Sequence, residues 1–90
     1  MNRAERIVAM TNKRGLHARA SAKFVTLAAS QPVEIEVEKD GSRVTGTSIM
    51  GLMMLGAAKG DSIRISAEGE GAEAAVDALA ALVEDGFGEE

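Results

Sequence analysis

The chain's one histidine, His17, lies in the stretch "NKRGLHARASAKFV" (residues 12–25), with Arg14 before it and Arg19 after it. From Ala18 onward the residues read as helix, so the imidazole falls at or next to a helix N-cap. A helix start leaves backbone N–H groups unpaired and carries about half a positive charge. That environment opposes an imidazolium and welcomes an anion. A neutral imidazole is nucleophilic near pH 7, and a phosphoryl group attached to it would lie among amide donors. Arg19 can add charge-assisted hydrogen bonds to phosphate oxygens, and Lys13 and Arg14 raise the local positive potential. The competing interpretation is a plain polar residue at a helix start, which composition alone favours.

Other chemistries find no residues to carry them. A metal site is not expected, because there is no second histidine, no cysteine, and no ligand spacing among the carboxylates. No glycine-flanked nucleophile elbow and no Gly-rich phosphate loop of the GxxxxGK[ST] kind occurs, so neither hydrolysis of the triad type nor ATP binding is expected, and no cofactor is implied. The absence of cysteine excludes disulfides and suits a reducing compartment. The net charge is -4 and the basic residues are dispersed, so the footprint of a nucleic-acid binder is missing and an anionic membrane is an unfavourable partner. The longest apolar stretch, residues 49–58, is broken by glycine and far shorter than the ~20 residues of a membrane span. The first residues carry charge among apolar ones, unlike a signal peptide. A cytoplasmic protein is expected.

A second group of interest is "TSIMGLMML" (Thr47 to Leu55). A Thr/Ser start followed by apolar residues at helical spacing predicts a short helix, weakened at Gly51 by up to ~1 kcal/mol relative to alanine. Ser48 opens it as an N-cap. Ile49, Met50, Met53 and Met54 are more apolar residues than one face of two turns can bury, so part of them should face solvent. Leu52 and Leu55 are expected on the buried side, and Met54 fits either. Exposed methionines adapt to differently shaped partners.

These residues need a scaffold, and 90 residues suffice for one domain, residues 1–90, with one core. With no Trp or Tyr and two Phe, that core must be built from Ala, Val, Ile, Leu and Met. "VEIEVE" (Val33 to Glu38) alternates as a half-buried strand with Val33, Ile35 and Val37 on one face. Asp40-Gly41 predicts a tight I′ hairpin turn into a return strand through Val44. "SIRISA" (Ser62 to Ala67) alternates again, and "RIVAMT" near the start is apolar enough for a central strand. Ala20, Phe24, Leu27 and Ala28 mark a helix closed by Pro32. Ala72, Ala75, Val76, Leu79, Leu82 and Val83 mark a longer one, with Gly86 as its stop. The acidic stretches "EGEGAE" and "EDGFGEE" read as solvated turns and a frayed end without chemistry. The order is β-α-β-β-α-β-α: an α+β, open-faced two-layer sandwich with helices on one face of an antiparallel sheet and water on the other.

"GLHAR" at Gly15 to Arg19, followed by "SIMGLMMLGAAKGD" at Ser48 to Asp61, resembles the HPr family of phosphocarriers of the bacterial phosphoenolpyruvate-dependent phosphotransferase system. The resemblance spans essentially the whole chain. It implies four antiparallel strands and three helices, and a phosphoryl group accepted on Nδ1 of His17 from Enzyme I and passed to an EIIA domain, with Arg19 as phosphate partner. The protein would be a relay, not an enzyme. Ser48 matches the family's regulatory serine, a substrate of HPr kinase/phosphorylase, and Ile49, Met50 and Met53 match its partner-binding patch, with Arg14 beside it. Successive docking implies a monomer. One departure is Ala20-Ser21, where the family usually has proline after the arginine; alanine leaves a free N–H and a looser helix start. That departure bears on the branch, sugar transport or nitrogen regulation. A different class of function, a regulatory binding module controlled through Ser48, remains the alternative.

Overall fold

A computed structural model of the chain describes residues 2–89. Its elements run β1 (Arg3–Ala9), α1 (Ala18–Ala29), β2 (Ile35–Lys39), β3 (Ser42–Thr45), α2 (Ile49–Met54), β4 (Ser62–Glu68) and α3 (Ala72–Glu84), followed by a 3₁₀ turn at Gly86–Gly88. The four strands form one antiparallel sheet in the order β1-β4-β2-β3. The expected open-faced α+β sandwich is therefore the fold. One expectation needs correction: β1 is an edge strand. Its solvent-facing residues Arg3, Glu5 and Ile7 are exposed, and only Val8 along it is buried. The apolar run that suggested a central strand continues past the strand into Met10, which enters the core.

Alternation does the rest of the local work. Ile35 and Val37 of β2 and Ile63 and Ile65 of β4 point inward, with Val37 opposite both Ile65 and Val44. Val33 lies before the strand and is half-buried. Asp40 and Gly41 both take positive φ, 50° and 84°, as a I′ turn requires. On the water face Arg64 sits between Glu5 (3.5 Å) and Glu38 (3.7 Å), and Arg43 between Glu36 and Glu38 (both 3.7 Å). These exposed pairs contribute little individually, yet they keep that face hydrated.

The helices cover the other face. α3 buries Ala72, Ala75, Val76, Leu79, Ala80 and Val83 against β1 and β4. α1 buries Ala20, Ser21, Phe24 and Ala28 and touches α2 and α3. It ends at Ala29, before Pro32, where Ser30 Oγ donates to the Leu27 carbonyl at 2.7 Å. Leu52 and Leu55 are the buried side chains of the α2 region, as their spacing predicts. Gly86 follows α3 with φ 67°, the left-handed stop expected there. Among the described residues no helix is long and apolar enough to cross a membrane.

Candidate functional site

His17 is the N-cap of α1, with φ -76° and ψ -177°. Its Nδ1 accepts the backbone N–H of Arg19 at 3.2 Å, and the Ser21 N–H reaches the His17 carbonyl at 2.8 Å. An amide N–H can only donate, so Nδ1 carries a lone pair and the ring proton resides on Nε2. The helix starts at Ala18 without a proline after Arg19; in its first turn Ala20 is fully buried and Ser21 Oγ donates to the Leu16 carbonyl at 3.2 Å.

Two loops fix where this cap sits. Gly15 has φ +62°, and a Cβ there would lie 2.1 Å from the Ala57 carbonyl oxygen, so only glycine fits. The adjoining Leu16 N–H donates to that same oxygen at 2.9 Å. The loop before α1 is thereby docked on the loop after α2, which sets the histidine region beside the α2 region. Arg14 lies exposed in the turn that Asn12 and Gly15 close, and Arg19 is exposed on the first turn of α1. Among the described residues neither guanidinium engages a carboxylate.

The most consequential contact was invisible in the sequence. Glu89 Oε2 lies 2.8 Å from His17 Nε2, where it accepts the ring proton, and Glu89 Oε1 accepts from Asn12 Nδ2 at 3.1 Å. The Asn12 bond, ahead of the bond and charge of His17 and the charge of Lys23, holds the Glu89 carboxyl below its ordinary range against the opposing pull of burial. The expected frayed end is thus corrected for residues 86–89; Glu90 lies outside the described residues. What anchors the segment is Phe87, whose ring is 1% exposed and whose carbonyl accepts from Lys23 Nζ at 2.7 Å. Phe87 takes φ 59°, a left-handed conformation that costs a bulky residue about 1–2 kcal/mol, which ring burial offsets. An aromatic between two glycines in a chain with only two Phe was the available signal.

Ser48 is the N-cap of α2, its Oγ accepting the Gly51 N–H at 3.0 Å. A Cβ at Gly51 would crowd both that oxygen and the Val44 side chain at 3.0 Å, so the glycine that weakens the helix also lets it seat on β3. Ile49, Met50, Met53 and Met54 are all exposed, at 41%, 68%, 41% and 79%. They form an apolar face of the kind that marks protein contact. Among the described residues no group of three or more His, Cys, Asp or Glu side chains could hold a metal.

A cap-seated histidine, a basic rim and an adjacent apolar helix stand together on an open-faced sandwich, and the known proteins that match the chain are phosphocarriers. Residues 4–85 match the family described as "PTS HPr component phosphorylation site". A phosphocarrier protein HPr of Neisseria meningitidis is 49% identical over 82 residues, covering 91% of this chain and 92% of that one. A phosphocarrier protein NPr of Shewanella violacea is 39% identical over 89 residues, covering 99% and 98%. The crystal structure of an HPr from Thermoanaerobacter tengcongensis superposes with a TM-score of 0.91 at 46% identity, covering 97% and 98%. The chain belongs to the HPr family of phosphocarrier proteins of the phosphotransferase system.

Proposed function

We propose that His17 carries the phosphoryl group, taking it from a phosphohistidine on Enzyme I and surrendering it to a histidine on an EIIA-type acceptor. The observation that supports this most is the tautomer: Nδ1 holds a lone pair at a helix N-terminus while Nε2–H is bound by Glu89. The Nδ1 lone pair forms the new P–N bond in line, the donor's P–N bond breaks, and its electron pair returns to the donor imidazole. The His17 proton stays on Nε2. The phosphorylated ring is then cationic, and its contact with Glu89 becomes an ion pair. Amide N–H groups of the first turn and the Arg19 guanidinium are the donors available to the phosphoryl oxygens. Release to the acceptor reverses these steps.

Ile49, Met50, Met53 and Arg14 serve as docking surface for both partners. Phosphorylation of Ser48 by HPr kinase/phosphorylase would add nearly two negative charges beside that surface and repel acidic partners. Residues 1–90 act as one HPr-like unit, a cytoplasmic monomer that needs no cofactor. An exposed apolar α2 capped by Ser48 would also serve a binding module in which His17 is a mere contact.

Intact mass after incubation with phosphoenolpyruvate and Enzyme I tests the relay. One acid-labile phosphate is expected, absent in His17→Ala and transferable to EIIA domains of the sugar or the nitrogen branch. A variant that still takes the phosphate would refute His17 as acceptor, and partner binding without any phosphate would favour the module. With ATP and HPr kinase/phosphorylase, an acid-stable phosphate lost in Ser48→Ala is expected.

A further inference from the structure

The segment after α3 makes contacts that serve the imidazole. Just before it, Thr11 Oγ1 lies within hydrogen-bond reach of the carbonyls of Val83 and Glu84 in the last turn of α3, at 3.3 and 3.4 Å, and within it Lys23 holds the Phe87 carbonyl. With the Phe87 ring in the core, the backbone delivers Glu89 to the gap between Asn12 and His17.

Asn12 is the informative residue. It is 5% exposed, and both hydrogens of its amide are used, one on the Gly15 carbonyl at 2.9 Å and one on Glu89. Its Oδ1 is buried with no hydrogen-bond partner among the described residues. Burying an amide oxygen unpaired is unfavourable, so something must fix this orientation. Two acceptor-only groups do: a carbonyl and a carboxylate, which a flipped amide would meet with its oxygen. The same amide therefore shapes the loop that carries Gly15 and clamps the carboxylate that faces the ring.

We propose that Asn12 and Glu89 are positioning residues of the phosphoryl-transfer site: Asn12 holds the Glu89 carboxylate, and Glu89 keeps the His17 proton on Nε2 so that Nδ1 is the nucleophile. The inference rests on the relay described above. It extends the logic by which a buried carboxylate orients a catalytic imidazole to a carrier with no active site of its own. A neutral amide does not reproduce Glu89: Asn12 and Nε2–H meet different carboxylate oxygens, and in this geometry an amide would set its NH₂, a donor, against one of the two.

Imidazole ¹⁵N chemical shifts of His17, measured near neutral pH on the folded full chain, report the tautomer without any phosphoryl transfer. In the unaltered protein Nδ1 is expected unprotonated and Nε2 protonated. In Glu89→Gln, and in Asn12→Ala as a second variant, the two tautomers are expected to mix, and the rate of phosphoryl uptake from Enzyme I to fall about tenfold, as for loss of one charge-assisted hydrogen bond. An unchanged tautomer in both variants overturns the proposal, whatever the rate, since slower uptake would then reflect bracing of the fold alone. A mixed tautomer with undiminished uptake overturns it too. If the unaltered protein takes no phosphate while its tautomer responds to Glu89→Gln, the relay fails and the control of the ring by Glu89 stands.

Discussion

Replacing Gly15 with alanine tests whether the loop before α1 is truly clamped by the loop after α2. Alanine at φ +62° costs about 1 kcal/mol from backbone preference alone. The new Cβ would also lie 2.1 Å from the Ala57 oxygen and 2.8 Å from the Ala58 Cα, against roughly 3.3 Å for an ordinary close C···O contact. Backbone must therefore move by about 1 Å, which breaks the 2.9 Å bond from Leu16 N–H to Ala57 and leaves polar groups unpaired, adding about 1–3 kcal/mol. Gly56 supplies the control: its φ is +66°, and nothing lies within 4 Å of its would-be Cβ. Gly56→Ala should lose only the backbone share. With about 4–8 °C per kcal/mol for a domain of this size, Gly15→Ala should melt on the order of 10 °C below Gly56→Ala, with the same ranking in urea. Equal losses at the two glycines would refute the clamp.

Phe87→Ala should cost about 3–5 kcal/mol in urea unfolding, as for a buried aromatic, and should release Glu89 from His17, visible as changed imidazole shifts. Met50→Asp should leave stability within about 0.5 kcal/mol, since the side chain is exposed, while raising the concentration of carrier that half-saturates Enzyme I. Glu89 ionises below its ordinary value of 4.5, so its stabilising contribution is full above that pH and is lost as pH falls through the lower folded-state value. Backbone and imidazole resonances followed down to acid should therefore show the Glu89 carboxylate releasing Asn12 and His17 only below 4.5, and Glu89→Gln should abolish that step.

What the sequence made legible was local. Val37 and Ile65 announce their face by alternation, Asp40-Gly41 announces its turn by chemistry, and Leu52 and Leu55 separate from the exposed methionines by helical spacing. The His17 cap was legible for the same reason, because a helix start is written in consecutive residues. The edge place of β1 was not, since strand order depends on how the chain crosses the sheet, and an apolar run looks alike at edge or centre. Glu89 escaped notice because its partner is 72 residues away and its neighbours are glycine and glutamate, the composition of a loose end. Asn12 is not legible because an asparagine three residues before a glycine ordinarily signals only a turn.

The short length of α2 has a consequence for motion. Six residues are too few for a helix to persist by its own hydrogen bonds, and this one owes its form to the Ser48 cap, the seat on Val44, and anchorage through Leu52 and Leu55. It therefore sits at the low end of local opening free energies, and its amides should exchange with solvent well before those of α3. A surface that opens cheaply can re-form against one partner and then another, so the weakest helix of the sandwich is also the one suited to meeting proteins of different shape.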